Sequence, residues 1–137
     1  MSKVILCRRA RFSASHRLHS PMLSDAENIS LFGKCNNPNG HGHNYQIFVR
    51  LAGHIDPKTG MVISLTTLEE LIDQHVIKKL DHKHLNHDVD FLKGMNPTSE
   101  NLVVAIWQQL QPHIPDGLLY EIELIETENN TVCYRGE

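Results

Sequence analysis

The sequence predicts an α+β fold, an antiparallel sheet with two helices packed on one face. Three observations predict it. Two long runs, Val4 to Ser15 and His43 to His54, alternate apolar and polar side chains with the period of two that marks a half-buried strand. Two later segments, opening at Thr66 or Thr67 and at Thr98, carry apolar residues at helical spacing behind capping signals. Turn residues punctuate the rest in the manner of hairpins.

Each element follows in order. In the first strand Phe12, Ala14 and His16 share one side. From His19 to Lys34 the chain is polar and mixed, and reads as a long loop with a helical turn around Asp25 to Phe32. Cys35 to Gly42 is rich in Asn, Pro and Gly and reads as a turn. In the second strand His43, Tyr45, Ile47, Val49 and Leu51 share a face, opposite Asn44, Gln46, Phe48 and Arg50. Asp56 to Gly60 reads as a turn and Met61 to Leu65 as the returning strand. The first helix begins at Thr66 or Thr67, paired with Glu69 or Glu70 at capping-box spacing, and presents Leu68, Leu71, Ile72 and Val76. Leu80 to Gly94 reads as a loop. The second helix opens at Pro97-Thr98-Ser99-Glu100, runs through Leu102, Val103, Ile106 and Leu110, and ends at Pro112. Leu119 to Glu128 and Thr131 to Arg135 form a closing hairpin about Asn129-Asn130. A sheet this small has open edges, which predicts association between subunits.

The 137 residues suggest one domain, 1–137, and 40% hydrophobic residues suit an ordinary globular core. A formal net charge of −3 gives no field to recruit nucleic acid. Arg8, Arg9, Arg11 and Arg17 form one local basic cluster, either a solvated surface or an anchor for an anionic substrate. Three cysteines, Cys7, Cys35 and Cys133, make no disulfide framework and point to a reducing, cytoplasmic setting. The first ten residues have no long apolar region, so no signal peptide is expected, and no run is long enough to span a membrane.

The chemistry concentrates in histidine. His41 and His43, two apart in a strand, place two imidazoles on one face, and His16 ends the other strand on its apolar parity. Three neutral nitrogens with no fourth protein ligand describe a catalytic zinc site. Cys35, in a polar turn just upstream, is a candidate acid or base, or else a small buried hydrophobe. Glu126 ends the apolar face of its strand; it is either a strand-end residue nearing solvent or the acceptor for an amidine-like edge such as a pterin or guanine ring presents. Asp81-His82 offers an imidazole with an orienting carboxylate, while His82 and His84 form a rival pair on what also reads as a surface loop. Thr98 and Glu100 stand at a helix start, where capping is the plain reading.

Taken together, the segments FSASHRLHSP, LFGKCNNPNGHGHNY, IDPKTGMV, LDHKHLN, TSEN, IETENNTV and the YRGE ending resemble the 6-pyruvoyl-tetrahydropterin synthase family over nearly the whole chain. The resemblance implies a T-fold, in which the sheets of three subunits close into a barrel and two trimers stack into a homohexamer with active sites at subunit interfaces. It implies Zn2+ on His16, His41 and His43, Cys35 as general base, and Asp81 and His82 as relay partners from a neighbouring subunit. It implies Glu126 as the holder of the pterin ring, with Thr98 and Glu100 assisting. The implied reaction is conversion of 7,8-dihydroneopterin triphosphate to 6-pyruvoyl-tetrahydropterin with loss of triphosphate, in tetrahydrobiopterin biosynthesis. Two alternatives stay open: 6-carboxy-tetrahydropterin synthase, whose cysteine-to-histidine spacing is shorter than the five residues between Cys35 and His41, and a zinc- and pterin-binding protein without turnover. One departure is Arg11, which stands before Phe12 where some relatives carry a serine in a phosphorylation context.

Overall fold

The alternating runs become the paired centre of a five-stranded sheet ordered β3-β1-β2-β4-β5. A computed structural model describes residues 2–137. Strands β1 (Lys3–His16) and β2 (His41–His54) pair antiparallel without interruption from Lys3↔His54 to His16↔His41. The predicted parity holds: Tyr45, Ile47, Val49 and Leu51 are buried, and Phe12 stacks on Tyr45 with ring centroids 4.8 Å apart. β4 (Leu119–Thr127) joins the other side of β2, and β5 (Asn130–Tyr134) closes the hairpin.

Three expectations are corrected. Met61 to Leu65 forms no returning strand, because Ser64 turns out of the chain path to cap a helix: its hydroxyl accepts from Thr67 N–H, so the cap lies ahead of Thr66 and Thr67. The segment 25–32 is a full helix, α1 (Asp25–Phe32), held by a capping box between Ser24 and Glu27. The sheet is mixed rather than wholly antiparallel. The two-residue β3 (Lys83–His84) lies parallel to β1 at Ala14 and Ser15, inside the stretch predicted as loop.

Helix α2 (Leu65–Ile72) runs through a π-helical turn (Asp73–Ile77) into the single turn α3 (Lys78–Leu80), and α4 (Ser99–Leu110) follows with Thr98 as its cap, as predicted. Leu68, Ile72, Val76, Leu102, Ile106 and Leu110 are buried and enter one cluster with the inner face of β1, β2 and β4. Each buried aliphatic side chain contributes about 1.5–3 kcal/mol, so this layer anchors the strands whose ends carry the histidines. The opposite face is polar: Arg50 bonds Glu121 and Glu123 at 2.9 and 2.7 Å, and Arg135 bonds Glu121 at 2.8 Å. β1 has no strand partner on its outer edge from Lys3 to Ser13 among the described residues.

Candidate metal centre and active site

The cross-strand pair His16↔His41 sets two imidazoles side by side, and His43, two residues on, joins them on the same face. The three offer ligand atoms that all lie within 4.8 Å of one another. His16 is 0% exposed. Its Nδ1 lies 3.0 Å from the Pro97 carbonyl oxygen and 3.2 Å from Tyr45 Oη. A carbonyl only accepts, so Nδ1 carries the proton and Nε2 turns a lone pair toward the trio. His41 Nε2 stands 3.3 Å from that atom. His43 Nε2 is buried and has no hydrogen-bond partner among the described residues. Such an orphan is costly in a native interior, and a cation among three imidazole nitrogens satisfies it. Burial pushes the pKa of His16 and of His43 below the ordinary imidazole value, which favours the neutral, ligating form. The group can hold a metal ion.

The turn before His41 is made tight by Gly40, whose φ is +75° and where a Cβ would meet the His16 carbonyl oxygen and His84 Nε2 at 2.9 Å each. After His16 the chain leaves the sheet, and four asparagines take over its backbone bonds. Asn86 accepts from Arg17 N–H and donates to the Arg17 carbonyl, both at 2.8 Å. Asn36 donates to the Leu18 carbonyl at 2.7 Å, Asn96 accepts from His19 N–H at 3.1 Å, and Asn28 brackets Ser20 at 2.8 and 2.9 Å. Sequence reasoning missed this clamp, as it missed Tyr45 Oη and the bond from Ser99, a residue at the helix start, to Glu126. The one available signal was the excess of asparagine beside the histidine segments.

Glu126 falls at a register shift between β4 and β5, a bulge that re-aims its side chain. The carboxylate points at the trio, with Oε1 3.8 Å from His43 Nε2, while Ser99 Oγ–H donates to Oε2 at 2.7 Å. Thr98, Glu100 and Glu126 line one open depression with Leu18, Phe32 and Val132. Its volume, about 460 Å³, fits a small heterocycle. Thr98 also accepts from Asn101 N–H, so its capping role is real. Cys35 sits in a 3₁₀ turn (Gly33–Asn36), within electrostatic reach of Glu126 and Tyr45. Burial, and then the Glu126 carboxylate, push its thiol up, and the same two influences raise the Tyr45 phenol. Both influences favour the neutral Cys35 thiol, and a nearby cation would act in the opposite direction.

Asp81 and His82 are not brought to this pocket within one chain. Asp81 accepts from Ser13 N–H at 2.8 Å and faces His82 Nδ1 at 3.0 Å. His82 has φ +60° and an 84% exposed side chain, over a depression lined by Ser13, Ser15, His43, Asn44 and His84. Ser13 and Asn44 belong to the parity opposite Phe12 and Tyr45, so the pair sits at the sheet edge away from the buried face. The Ser13 N–H, then His82, lower the Asp81 carboxyl pKa. The basic cluster also divides. Arg8, Arg9 and Arg11 line a depression against Glu69, Glu70 and Asp73, with Arg8 3.3 Å from Glu69, whereas Arg17 donates to the Asn36 carbonyl. All three cysteines are free. No helix among the described residues is long and apolar enough to cross a membrane.

Comparison with known proteins agrees with this architecture. The family model described as 6-pyruvoyl tetrahydropterin synthase matches residues 5–137. The chain is 52% identical over 130 residues to the 6-pyruvoyl tetrahydrobiopterin synthase of Homo sapiens, covering 95% of this chain and 90% of that protein. It is 50% identical over 134 residues to the protein of the same name from Dictyostelium discoideum, covering 98% and 97%. The structure of Caenorhabditis elegans 6-pyruvoyl tetrahydropterin synthase superposes with a TM-score of 0.95 at 43% identity, covering 100% of this chain and 98% of that one. The sheet and helices are thus those of a T-fold subunit.

Proposed function

The chain belongs to the 6-pyruvoyl tetrahydropterin synthase family of tetrahydrobiopterin-synthesis enzymes, and from that premise we propose that it is a zinc-dependent lyase converting 7,8-dihydroneopterin triphosphate to 6-pyruvoyl-tetrahydropterin and triphosphate. The observation that carries the reading is the buried, partnerless His43 Nε2 inside a three-imidazole cluster that faces Glu126. His16, His41 and His43 would hold the zinc, and the Pro97 carbonyl fixes the tautomer of His16. Bound there, zinc would supply a Lewis acid for the negative charge that develops on the substrate side chain.

Glu126 accepts the amidine-like edge of the pterin and fixes which carbon meets the base, while Thr98 and Glu100 line the same depression. Cys35 removes a carbon-bound proton. His82, oriented by Asp81, returns a proton. The triphosphate leaves with its bonding electrons, and the side chain is oxidised as the ring is reduced, so no external reductant enters.

The single chain acts as one domain, 1–137, in the cytoplasm, where its free cysteines stay reduced. It assembles as a homohexamer of two barrel-shaped trimers. Two features support assembly: the outer edge of β1, without a strand partner from Lys3 to Ser13 among the described residues, and the placing of His82 in a different depression from the one Glu126 lines.

Product analysis tests the reading. Zinc-loaded protein is incubated with 7,8-dihydroneopterin triphosphate, without oxygen or reductant, and the products are weighed by mass spectrometry. A pyruvoyl-tetrahydropterin with free triphosphate is expected. A carboxy-tetrahydropterin with acetaldehyde would instead assign the sister activity. Zinc and pterin binding without conversion by the hexamer would assign a binding protein.

A further inference from the structure

Glu126 stands between two possible partners. Its Oε1 is 3.8 Å from the partnerless His43 Nε2, and its side chain and that of His43 are each only 14% exposed. Carboxylates are good zinc ligands, and three imidazoles leave one coordination position to fill. A carboxylate so close would complete a closed, four-coordinate site of the structural kind and leave no place for substrate. The strand does not prevent this, because Glu126 lies at the bulge between Ile125 and Thr127. The side-chain hydrogen bond that fixes the carboxylate comes from Ser99 Oγ, at 2.7 Å to Oε2. That hydroxyl is free for the task. Thr98 caps α4 by accepting from Asn101 N–H, so Ser99 is not needed there and turns toward β4 instead.

We propose that Ser99 is a positioning residue that holds Glu126 off the metal position, keeping the fourth coordination place open for substrate and the carboxylate available to the pterin. This rests on the reading of the histidine trio as a metal site. The hydrogen bond from Ser99 occupies one lone pair of Oε2 and sets the plane of the carboxylate. Without it, the attraction of a cation at the trio decides where the carboxylate goes.

The test uses the whole protein with Co2+ in place of zinc, read by its visible absorption, and azide as a probe of an open coordination place. Wild type is expected to take one equivalent of cobalt and to change spectrum on adding azide. S99A is expected to bind cobalt more tightly, because the freed carboxylate becomes a fourth ligand, and to lose the azide response. S99T keeps the hydroxyl and behaves as wild type. The double variant S99A/E126Q, which lacks the competing charge, regains the azide response. If S99A does not fold, as judged by the melt of the metal-free protein, S99V against S99T makes the same comparison at nearly constant shape. Unchanged cobalt affinity and azide response in the hydroxyl-free variants would overturn the role of Ser99 and leave the metal site standing. A wild type that takes no cobalt would remove the metal site, and this inference with it.

Discussion

The histidine trio, on β1 and β2, and the Asp81-His82 pair, in the turn before β3, are both clusters of titratable side chains, yet the chain treats them oppositely. The trio is enclosed: His16 is 0% exposed, its tautomer is set by a carbonyl, and burial lowers the pKa of His16 and of His43. The pair is open, with His82 84% exposed on a left-handed backbone at the edge strand. An enclosed cluster has its geometry fixed by one chain and is ready for a cation. An exposed acid–imidazole pair has its orientation but not its surroundings, and screening leaves it little energy of its own. The difference leaves one cluster enclosed by the chain's own packing and the other open to solvent.

Subunit mixing is the most direct way to break that division, and it carries the largest expected effect. Cys35→Ala is expected to keep its metal and to lose about 10²–10⁴-fold in turnover, the usual worth of a positioned acid or base, and His82→Ala to fall in the same direction. Refolded together, the two inactive variants should regain activity, because some interfaces then combine an intact Cys35 with an intact His82. Failure to recover would put both groups to work within one chain and end the comparison.

Gly40→Ala sharpens the enclosed side. A Cβ there meets the His16 carbonyl and His84 Nε2 at 2.9 Å on a backbone with φ +75°. A cost of about 1–3 kcal/mol in stability is expected, with metal affinity falling alongside, as measured by denaturant melts and metal titration. Asn86→Ala leaves the Arg17 N–H and carbonyl without their partner. The expected loss is about 1–2 kcal/mol, again with weaker metal binding, since His16 is the preceding residue. A variant as unstable as expected but with wild-type metal affinity would show that the asparagine clamp serves folding alone.

The smallest effect is in pH. For the metal-free protein, His16 and His43 have pKa values lowered from 6.5. The unfolded chain then binds protons more readily, so stability is full above 6.5 and falls as pH drops below it toward the folded values. Asp81 has its pKa lowered from 3.8. Its contribution is present above 3.8 and is lost as pH falls through the folded value. Melting curves from pH 8 to pH 3 should therefore show a first decline that saturating zinc suppresses and a much smaller second one that Asp81→Asn removes. A zinc-insensitive first decline would detach it from the trio.

Particular residues show why parts of this were legible beforehand. The parity of β2 and the positions of His16, His41 and His43 follow from a period of two, which a strand imposes whatever surrounds it. Thr98 as the cap of α4 follows from local hydrogen bonding. The helix α1 was half legible: Ser24 and Glu27 spell its capping box, but Ile29 and Leu31 are exposed, so no apolar stripe announces it. Met61 to Leu65 misled because the competing cap, Ser64, sits inside the apparent strand. β3 had no local signal at all; two residues become a strand only because β1 offers an edge beside them.

By itself, then, the chain's sequence determined the residue types, their faces and the family to which they belong, since these depend on local periodicity and on chemistry carried by each side chain. Tertiary structure alone decided the tautomer of His16, the orphaned nitrogen of His43, the aim of Glu126 from its bulge under the hydroxyl of Ser99, and the exile of Asp81-His82 to an edge. The contacts that fix the His16 tautomer and the Glu126 carboxylate join residues 81 and 27 positions apart, and no local pattern encodes the distance between two atoms that only packing brings together.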